Sequence, residues 1–369
     1  MADLASLRPL AIYLPQFHPT PENDEWWGPG FTEWTNVARG RPLFRGHYQP
    51  HIPADLGFCD LRVPETRLAQ AELARKHGIF GFCYYHYWFN GRRLLDRPFR
   101  EVLASGEPDF PFCLCWANED WTRAWDGHTG VRLMVQHYSE DDDRAHVRSL
   151  LPAFADPRYV RIDGRPVFLV YRASRLPDPR RTTHVWREEA SRAGIGDLYL
   201  VRVESEPYDR AEPADFGFDA HMDFQPDWVN LGRPRQRQLP VRALRRALRS
   251  RSTYRYHRIF DYEPVVDAML ARPDVEYLRF PCVTPGWDNT PRRPTKLGIV
   301  LDGATPEVYE RWLATVVERF TPPSPDENLV FLNAWNEWAE GNHLEPCRRF
   351  GRGFLEATRR VVGPHRNDA

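Results

Sequence analysis

Eight short runs rich in Val, Ile, Leu, Phe and Tyr punctuate the chain: LAIYLPQF at 10–17, IFGFCYYHYWF at 79–89, FPFCLCWAN at 110–118, VFLVY at 167–171, LYLVRV at 198–203, FDAHMDF at 218–224, RFPCVTPGW at 279–287 and LVFLNAWNEW at 329–338. Between them lie stretches of helical character, such as 65–77, which leads into the second run through Gly78. Strands that alternate with helical crossovers form βαβ units. Eight of them predict an α/β fold, a (β/α)8 TIM-type barrel: a single domain over 1–362 with long loop insertions, followed by a disordered tail at 363–369. The rival architecture is an open doubly wound sheet, but no Gly-x-Gly-x-x-Gly or Walker-type loop follows any of the runs.

The runs start apolar and finish polar or aromatic. Gln16-Phe17-His18, His86-Tyr87-Trp88, Trp116-Ala117-Asn118-Glu119, Trp287-Asp288-Asn289 and Asn336-Glu337-Trp338 all stand at predicted C-terminal strand ends. That end of a barrel is where such folds build their sites. Glycosidic chemistry needs two carboxyl groups around one anomeric carbon. The eighth run supplies a compact pair in LNAWNEWAEGNHLEP, where Glu337 and Glu340 lie three apart and Gly341 permits a tight turn. These two are the candidate catalytic residues, with Asn336 and His343 available to hold a substrate hydroxyl or one of the carboxylates. Glu345, before Pro346, reads as an ordinary acid at a helix start.

The third strand end, WANEDWTRAWDG, interleaves Asn118, Glu119, Asp120 and Asp126 with Trp121 and Trp125. Indole faces against the C–H side of a sugar, with amides and carboxylates on its hydroxyls, make up a carbohydrate subsite. Asn118, Glu119, Trp121, Trp125 and Asp126 are therefore expected sugar contacts, with Glu119 or Asp120 a reserve catalytic carboxylate. Tyr13, Gln16, His86, Trp287, Asp288 and Asn336 would complete the rim. The long first crossover, 19–62, carries Trp26, Trp27, Trp34, His47, Tyr48 and His51, and reads either as a functional lid or as a folded cap on the bottom or side of the barrel.

Charge narrows the partners. With 50 Lys+Arg against 51 Asp+Glu the formal net charge is -1, so a globally basic nucleic-acid binder is excluded and no nucleic-acid partner is expected. The 13 Trp, 15 Tyr and 21 Phe, many in polar company, favour exposed stacking surfaces. Six cysteines without a paired spacing read as reduced thiols, with Cys113 and Cys115 as small buried apolar residues. His18, His86 and His343 fall on different strand ends without metal-ligand spacing, so neither metal nor cofactor is expected. No apolar run spans a bilayer and 1–9 lacks a signal-peptide core, which points to a cytoplasmic protein. The Arg-rich insertion 233–258, with ten arginines, is a candidate for peripheral contact with the inner membrane or an anionic lipid-linked carrier, or else a solvated face.

Five motifs in order, LAIYLPQFHP, WWGPGFTEWTNV, FCYYHYWFNG, WANEDWTRAWDG and LNAWNEWAEGNHLEP, resemble the WbsX-type proteins, which are glycoside hydrolase family 99-like proteins found in bacterial surface-polysaccharide gene clusters. The resemblance runs over about 10–354. It implies a (β/α)8 barrel related to the family 99 endo-α-mannosidases. Glu337-Trp338-Ala339-Glu340-Gly341 matches that family's Glu-Trp-His-Glu-Gly segment in all but one position. By that carry-over Glu337 resembles the base for the substrate's 2-hydroxyl and Glu340 the acid for the leaving oxygen, giving a 1,2-anhydro intermediate and net retention. The implied substrates are α-manno- or α-rhamno-configured oligosaccharides or lipid-linked glycans of O-antigen (lipopolysaccharide) or other surface-polysaccharide biosynthesis, hydrolysed or transglycosylated. Ala339 departs from the hydrolases' His. A glycosyltransferase using an activated sugar donor is the alternative within enzymes, although Asp141-Asp142-Asp143 lies at a predicted helix start rather than in a nucleotide-sugar signature. A non-catalytic carbohydrate-binding protein is the alternative outside them.

Overall fold

Each of the eight runs becomes a strand of one parallel sheet. In the computed structural model, which describes residues 4, 6–123, 128–206, 211–235 and 256–364, these are Arg8–Tyr13, Gly81–Phe89, Phe112–Trp116, Arg165–Val170, Tyr199–Val203, Ala220–Met222, a divided seventh strand and Leu329–Leu332. The division has a simple cause. Pro281 has no N–H to give to a ladder, so it splits the seventh strand into Arg279–Phe280 and Cys282–Val283. The first half pairs with the sixth strand and the second half with the eighth. The Pro281 carbonyl still accepts from Phe331 N at 2.8 Å, so the barrel closes across the break.

The first strand sits between the second and the eighth, with Leu10 opposite both Gly81 and Phe331. Gly81 is needed there: a Cβ would stand 2.5 Å from the carbonyl oxygen of Pro111. Helices Pro64–Lys76, Arg97–Ser105, Glu140–Phe154, Pro179–Arg192, Tyr262–Leu270, Pro306–Arg319 and Gly353–Val362 cover the outside, and the fifth crossover is reduced to a 3-10 turn, Pro213–Phe216. Local signals set their starts. Ser139, Asp178 and Thr305 cap the backbone N–H groups of Asp142, Arg181 and Val308, and Asp141, Asp142 and Asp143 lie in a first turn, where the helix dipole favours negative charge.

The core uses many of the aromatics that the sequence suggested were exposed: Trp116, Trp186, Trp312, Trp335 and Trp338 are fully buried. All six cysteines are free and buried. The first crossover folds into helices Pro21–Trp27 and Glu33–Arg39, and the third strand is followed by a hairpin, Trp121–Arg123 with His128–Met134. The tail expected at 363–369 and the Arg-rich 233–258 fall largely outside the described residues.

Candidate active site

Beyond the eighth strand the chain makes a small hairpin. Asn336–Glu337 pairs with Asn342–His343 around a 3-10 turn at Trp338–Glu340. Gly341 closes it at φ 59°, where a Cβ would also press to 3.0 Å from Asp288 Cβ, so both conformation and space call for glycine. The hairpin is pinned to the first strand. Leu14 N donates to Asn336 Oδ1 at 2.7 Å, Asn336 Nδ2 donates to the Leu14 carbonyl at 3.0 Å, and Trp335 N donates to the Ile12 carbonyl at 2.7 Å.

This brings Glu337 and Glu340 onto one guanidinium. Arg292 reaches Glu337 Oε2 with Nη2 at 2.9 Å, Glu340 Oε1 with Nη1 at 2.7 Å and Glu33 Oε1 with Nε at 2.7 Å. Three carboxyl groups around one cation cannot all ionise cheaply out of water. Burial pushes Glu337 up to about 8 despite the pull of Arg292, with Glu340 and Glu33 adding to the rise. Burial raises Glu340 as well, again against Arg292. Burial would lower Arg292, but the three carboxylates hold it well above its ordinary value. Burial thus biases both carboxyls toward their protonated forms, with Arg292 opposing it at each.

Above the pair lies a cavity of about 430 Å³. Its walls are aromatic: Trp26 and Trp27 from the first crossover, Trp121 from the hairpin, Trp228 and Trp287 opposite, and Tyr85, Tyr87 and Tyr171 on strand ends. Trp121 stands edge-on to Trp26 at 5.7 Å and to Tyr87 at 5.1 Å, and Trp228 edge-on to Trp287 at 4.9 Å. Polar groups enter between them, among them Gln16, Glu119, Asp120, Arg172, Asn289 and Arg293. The first crossover thus contributes a wall of this cavity through Asn23, Trp26 and Trp27, while its Trp34 packs inward against Phe17 and Trp338.

The profile of the family described as Glycosyltransferase WbsX matches residues 9–358. The chain belongs to the WbsX glycosyltransferase family. It is 44% identical over 354 residues to the uncharacterized WxcX proteins of two strains of Xanthomonas campestris pv. campestris, covering 96% of this chain and 49% of theirs, so it spans about half the length of these curated relatives. Among solved structures it is similar to an endo-alpha-mannosidase of glycoside hydrolase family 99 from Bacteroides thetaiotaomicron in complex with bis-tris-propane, with a TM-score of 0.59, 13% identity and coverage of 98% of this chain and 97% of that one. A glycoside hydrolase-like protein gives a TM-score of 0.59 at 13% identity, covering 96% and 94%. At these identities the likeness shows a shared barrel fold.

In this WbsX-family barrel the expected site residues divide. Gln16, Glu119, Trp121, Trp287, Glu337 and Glu340 line the cavity. Tyr13, His86, Asn118, Asp288 and Asn336 do not, and each has a structural occupation. Tyr13 Oη donates to Gln70 Oε1 at 2.7 Å, behind the first strand. His86 lies against His146 with Nε2 atoms 2.9 Å apart, and burial lowers it to about 3, so the ring is neutral. Asn118 is fully buried, accepts from Arg172 N at 2.7 Å and donates to the Arg172 carbonyl at 3.0 Å, which ties the third strand end to the fourth. Asp288 accepts from Gln49 Nε2 at 2.6 Å and Thr290 Oγ1 at 2.6 Å, and pairs with His47 Nε2 at 2.7 Å. Burial alone would raise its carboxyl, but these partners, His47 first, hold it below the usual range. Asn336 is the clamp on Leu14 already described. Trp125 and Asp126 lie outside the described residues.

Two further expectations are corrected. Glu345 does not start a helix: its carboxyl is buried, accepting from Trp338 Nε1 at 2.5 Å and Gln70 Nε2 at 2.6 Å, and burial pushes it up to about 7. His343 holds no catalytic carboxylate: its ring stacks on Trp338 at 3.7 Å and meets His51 Nδ1 at 2.8 Å. Ala339 is fully buried, so its methyl group is part of the packing under the hairpin. Arg292, Glu33, Arg172, Tyr171 and Trp228 were not foreseen. Arg292 follows the polar end of the seventh run by only a few positions, and Glu33 sits inside the Trp-rich motif, so both were within reach of a search for charges that could answer the two acids. Among the described residues no three His, Cys, Asp or Glu side chains are grouped to hold a metal ion, and no helix is long and apolar enough to cross a membrane.

Proposed function

We propose that this protein is a carbohydrate-active enzyme of surface-polysaccharide biosynthesis that works on α-manno- or α-rhamno-configured glycosides through Glu337 and Glu340. The observation that carries this reading is the pair of buried carboxyls on one guanidinium, opening into a tryptophan-walled cavity at the C-terminal end of a barrel. Glu337 takes the proton of the 2-hydroxyl as the 2-oxygen attacks the anomeric carbon from behind. The bond to the leaving oxygen breaks as Glu340 gives it a proton. The product is a 1,2-anhydro sugar, which a water or an acceptor hydroxyl opens at the anomeric carbon. Glu340 takes the proton of that nucleophile and Glu337 returns one to the 2-oxygen, so two inversions give retention. The chemistry requires a 2-hydroxyl trans to the leaving group, which manno and rhamno α-glycosides have and α-glucosides lack. An oligosaccharide or lipid-linked glycan is the proposed substrate.

Transfer from an activated sugar donor is the second reading, favoured by the family's own description as a glycosyltransferase. Mass spectrometry of products from α-mannosyl and α-rhamnosyl oligosaccharides and nucleotide sugars separates the two. Cleavage or exchange of oligosaccharides, lost in Glu337→Gln and Glu340→Gln, supports the first reading, whereas transfer from nucleotide sugars alone supports the second. Sugar binding that survives both substitutions with no product from wild type would leave a carbohydrate-binding protein.

A further inference from the structure

Of the three carboxyls on Arg292, one stands behind the cavity. Glu337 and Glu340 line it, whereas Glu33 does not and is fully buried. Its Oε1 accepts from Arg292 Nε at 2.7 Å, and its Oε2 has no hydrogen bond among the described residues. A buried carboxylate with a single ionic partner adds little stability over an apolar side chain of similar size, so packing is a poor account of an acid here.

Glu33 is mounted on the frame that carries the two acids. Its backbone N–H donates to the Gln16 carbonyl at 3.1 Å, just beyond the first strand. The next residue, Trp34, packs on Trp338 of the acid hairpin with ring centroids 5.5 Å apart, and donates from Nε1 to the Cys59 carbonyl at 2.7 Å. The acid that touches Arg292 from behind is therefore held in register with the pair that touches it from the cavity.

A guanidinium can grip one carboxylate with two parallel N–H bonds, along its Nε–Nη2 edge or across Nη1 and Nη2. Here the nitrogens are shared out instead. Nε is on Glu33, Nη2 on Glu337 at 2.9 Å and Nη1 on Glu340 at 2.7 Å. Release of Nε would free the Nε–Nη2 edge to close on Glu337, and a carboxylate held by two charge-assisted bonds is a poorer base. Burial raises both Glu337 and Glu340, and the charge of Glu33 adds to the rise at each.

Resting on the roles given above to Glu337 and Glu340, we infer that Glu33 is a positioning residue. It holds Arg292 by Nε, so that the guanidinium offers one terminal nitrogen to the base and the other to the acid.

Two variants separate the bond from the charge. Glu33→Gln keeps an oxygen for Nε–H and drops the charge, and Glu33→Leu drops both. With an α-mannosyl substrate, Glu33→Leu should lower kcat by about 10- to 100-fold with KM little changed, and Glu33→Gln should recover most of that loss. The second readout is independent of turnover: the carboxyl-carbon NMR titrations of Glu337 and Glu340, assigned with their own Gln variants. Arg292, Arg293, Tyr85, Tyr87, Tyr171 and the Glu119–Arg172 pair face the same cavity and are common to all three proteins, so a difference between them reports on Glu33. Both carboxyls should titrate at lower pH in Glu33→Gln, which lacks one like charge, and Glu337 at lower pH still in Glu33→Leu. Titrations that coincide with wild type, or a Glu33→Leu that keeps kcat and loses only KM or thermal midpoint, overturn the inference while leaving the reaction standing. If Glu33→Leu does not fold, the Glu33→Gln titration decides. Shifted titrations in a protein whose wild type turns over no α-mannosyl or α-rhamnosyl substrate keep the positioning role and sink the proposed reaction.

Discussion

The polar ends of the second and eighth strands look alike in sequence, yet one mostly supports the site and the other forms it. On the second strand Tyr85 and Tyr87 line the cavity, while His86 and Trp88 turn outward onto His146 of helix Glu140–Phe154. The third strand end repeats the pattern, with Ala117 and Glu119 facing the cavity and Asn118 holding the backbone of Arg172. Successive side chains of a strand point to opposite faces, so half of any polar strand end belongs to the layer behind. At the eighth strand the chain leaves the pleat. Its 3-10 turn lets Glu337 and Glu340, three apart, face the same arginine. The difference teaches that a polar residue at a barrel mouth faces the cavity where strand alternation or a turn aims it there, and not by its side-chain type.

The sharpest way to break that contrast is to remove the acids. Glu340→Gln and Glu337→Gln should each lower kcat/KM by about 10²–10⁴-fold, the usual worth of a positioned proton donor or acceptor, while the thermal midpoint stays near that of wild type. Arg292→Gln comes next. It leaves three carboxyls crowded without their cation, so activity should fall and the basic limb of the pH–rate profile should move upward, with stability lowered by about 3–5 kcal/mol in denaturant titrations. By contrast Asn118→Ala should cost about 1–3 kcal/mol of stability through the unsatisfied Arg172 N–H, and change kcat by less than the acid substitutions do.

The smallest expected effect is a pH dependence of stability that belongs to the supporting layer. Glu345 has its carboxyl raised from 4.5 to about 7 in the folded chain. The native state therefore holds a proton that the unfolded chain releases, and this contribution is present below about 4.5 and lost as pH rises through about 7. Glu337 extends the same loss to about 8. Thermal midpoints should fall between these limits, and Glu345→Gln should flatten the part that ends near pH 7. A midpoint that rises over this window would contradict the burial of both carboxyls.

The barrel was legible because short apolar runs alternate with helical stretches along the chain, and all eight runs appear as strands. The acid pair was legible for a similar reason: its spacing, with Gly341, carries the turn. Residues engaged within the barrel wall, such as Asn118, Asp288 and Asn336, share their side-chain types with residues that line the cavity, so composition alone does not separate them. Strand alternation would have separated several, because Tyr13, His86 and Asn118 occupy the parity opposite to Leu14, Tyr85 and Ala117. Arg292 was hidden for another reason. It belongs to a loop after the seventh strand, and only the closed barrel places that loop over the eighth.

The central claim, that Glu337 and Glu340 act through the substrate's own 2-oxygen, is tested most directly by proton NMR of the reaction as it proceeds. An α-mannosyl substrate should release the α anomer first, and its 2-deoxy counterpart should be inert at the same enzyme concentration. First release of the β anomer, or turnover of the 2-deoxy compound at a comparable rate, would contradict the account.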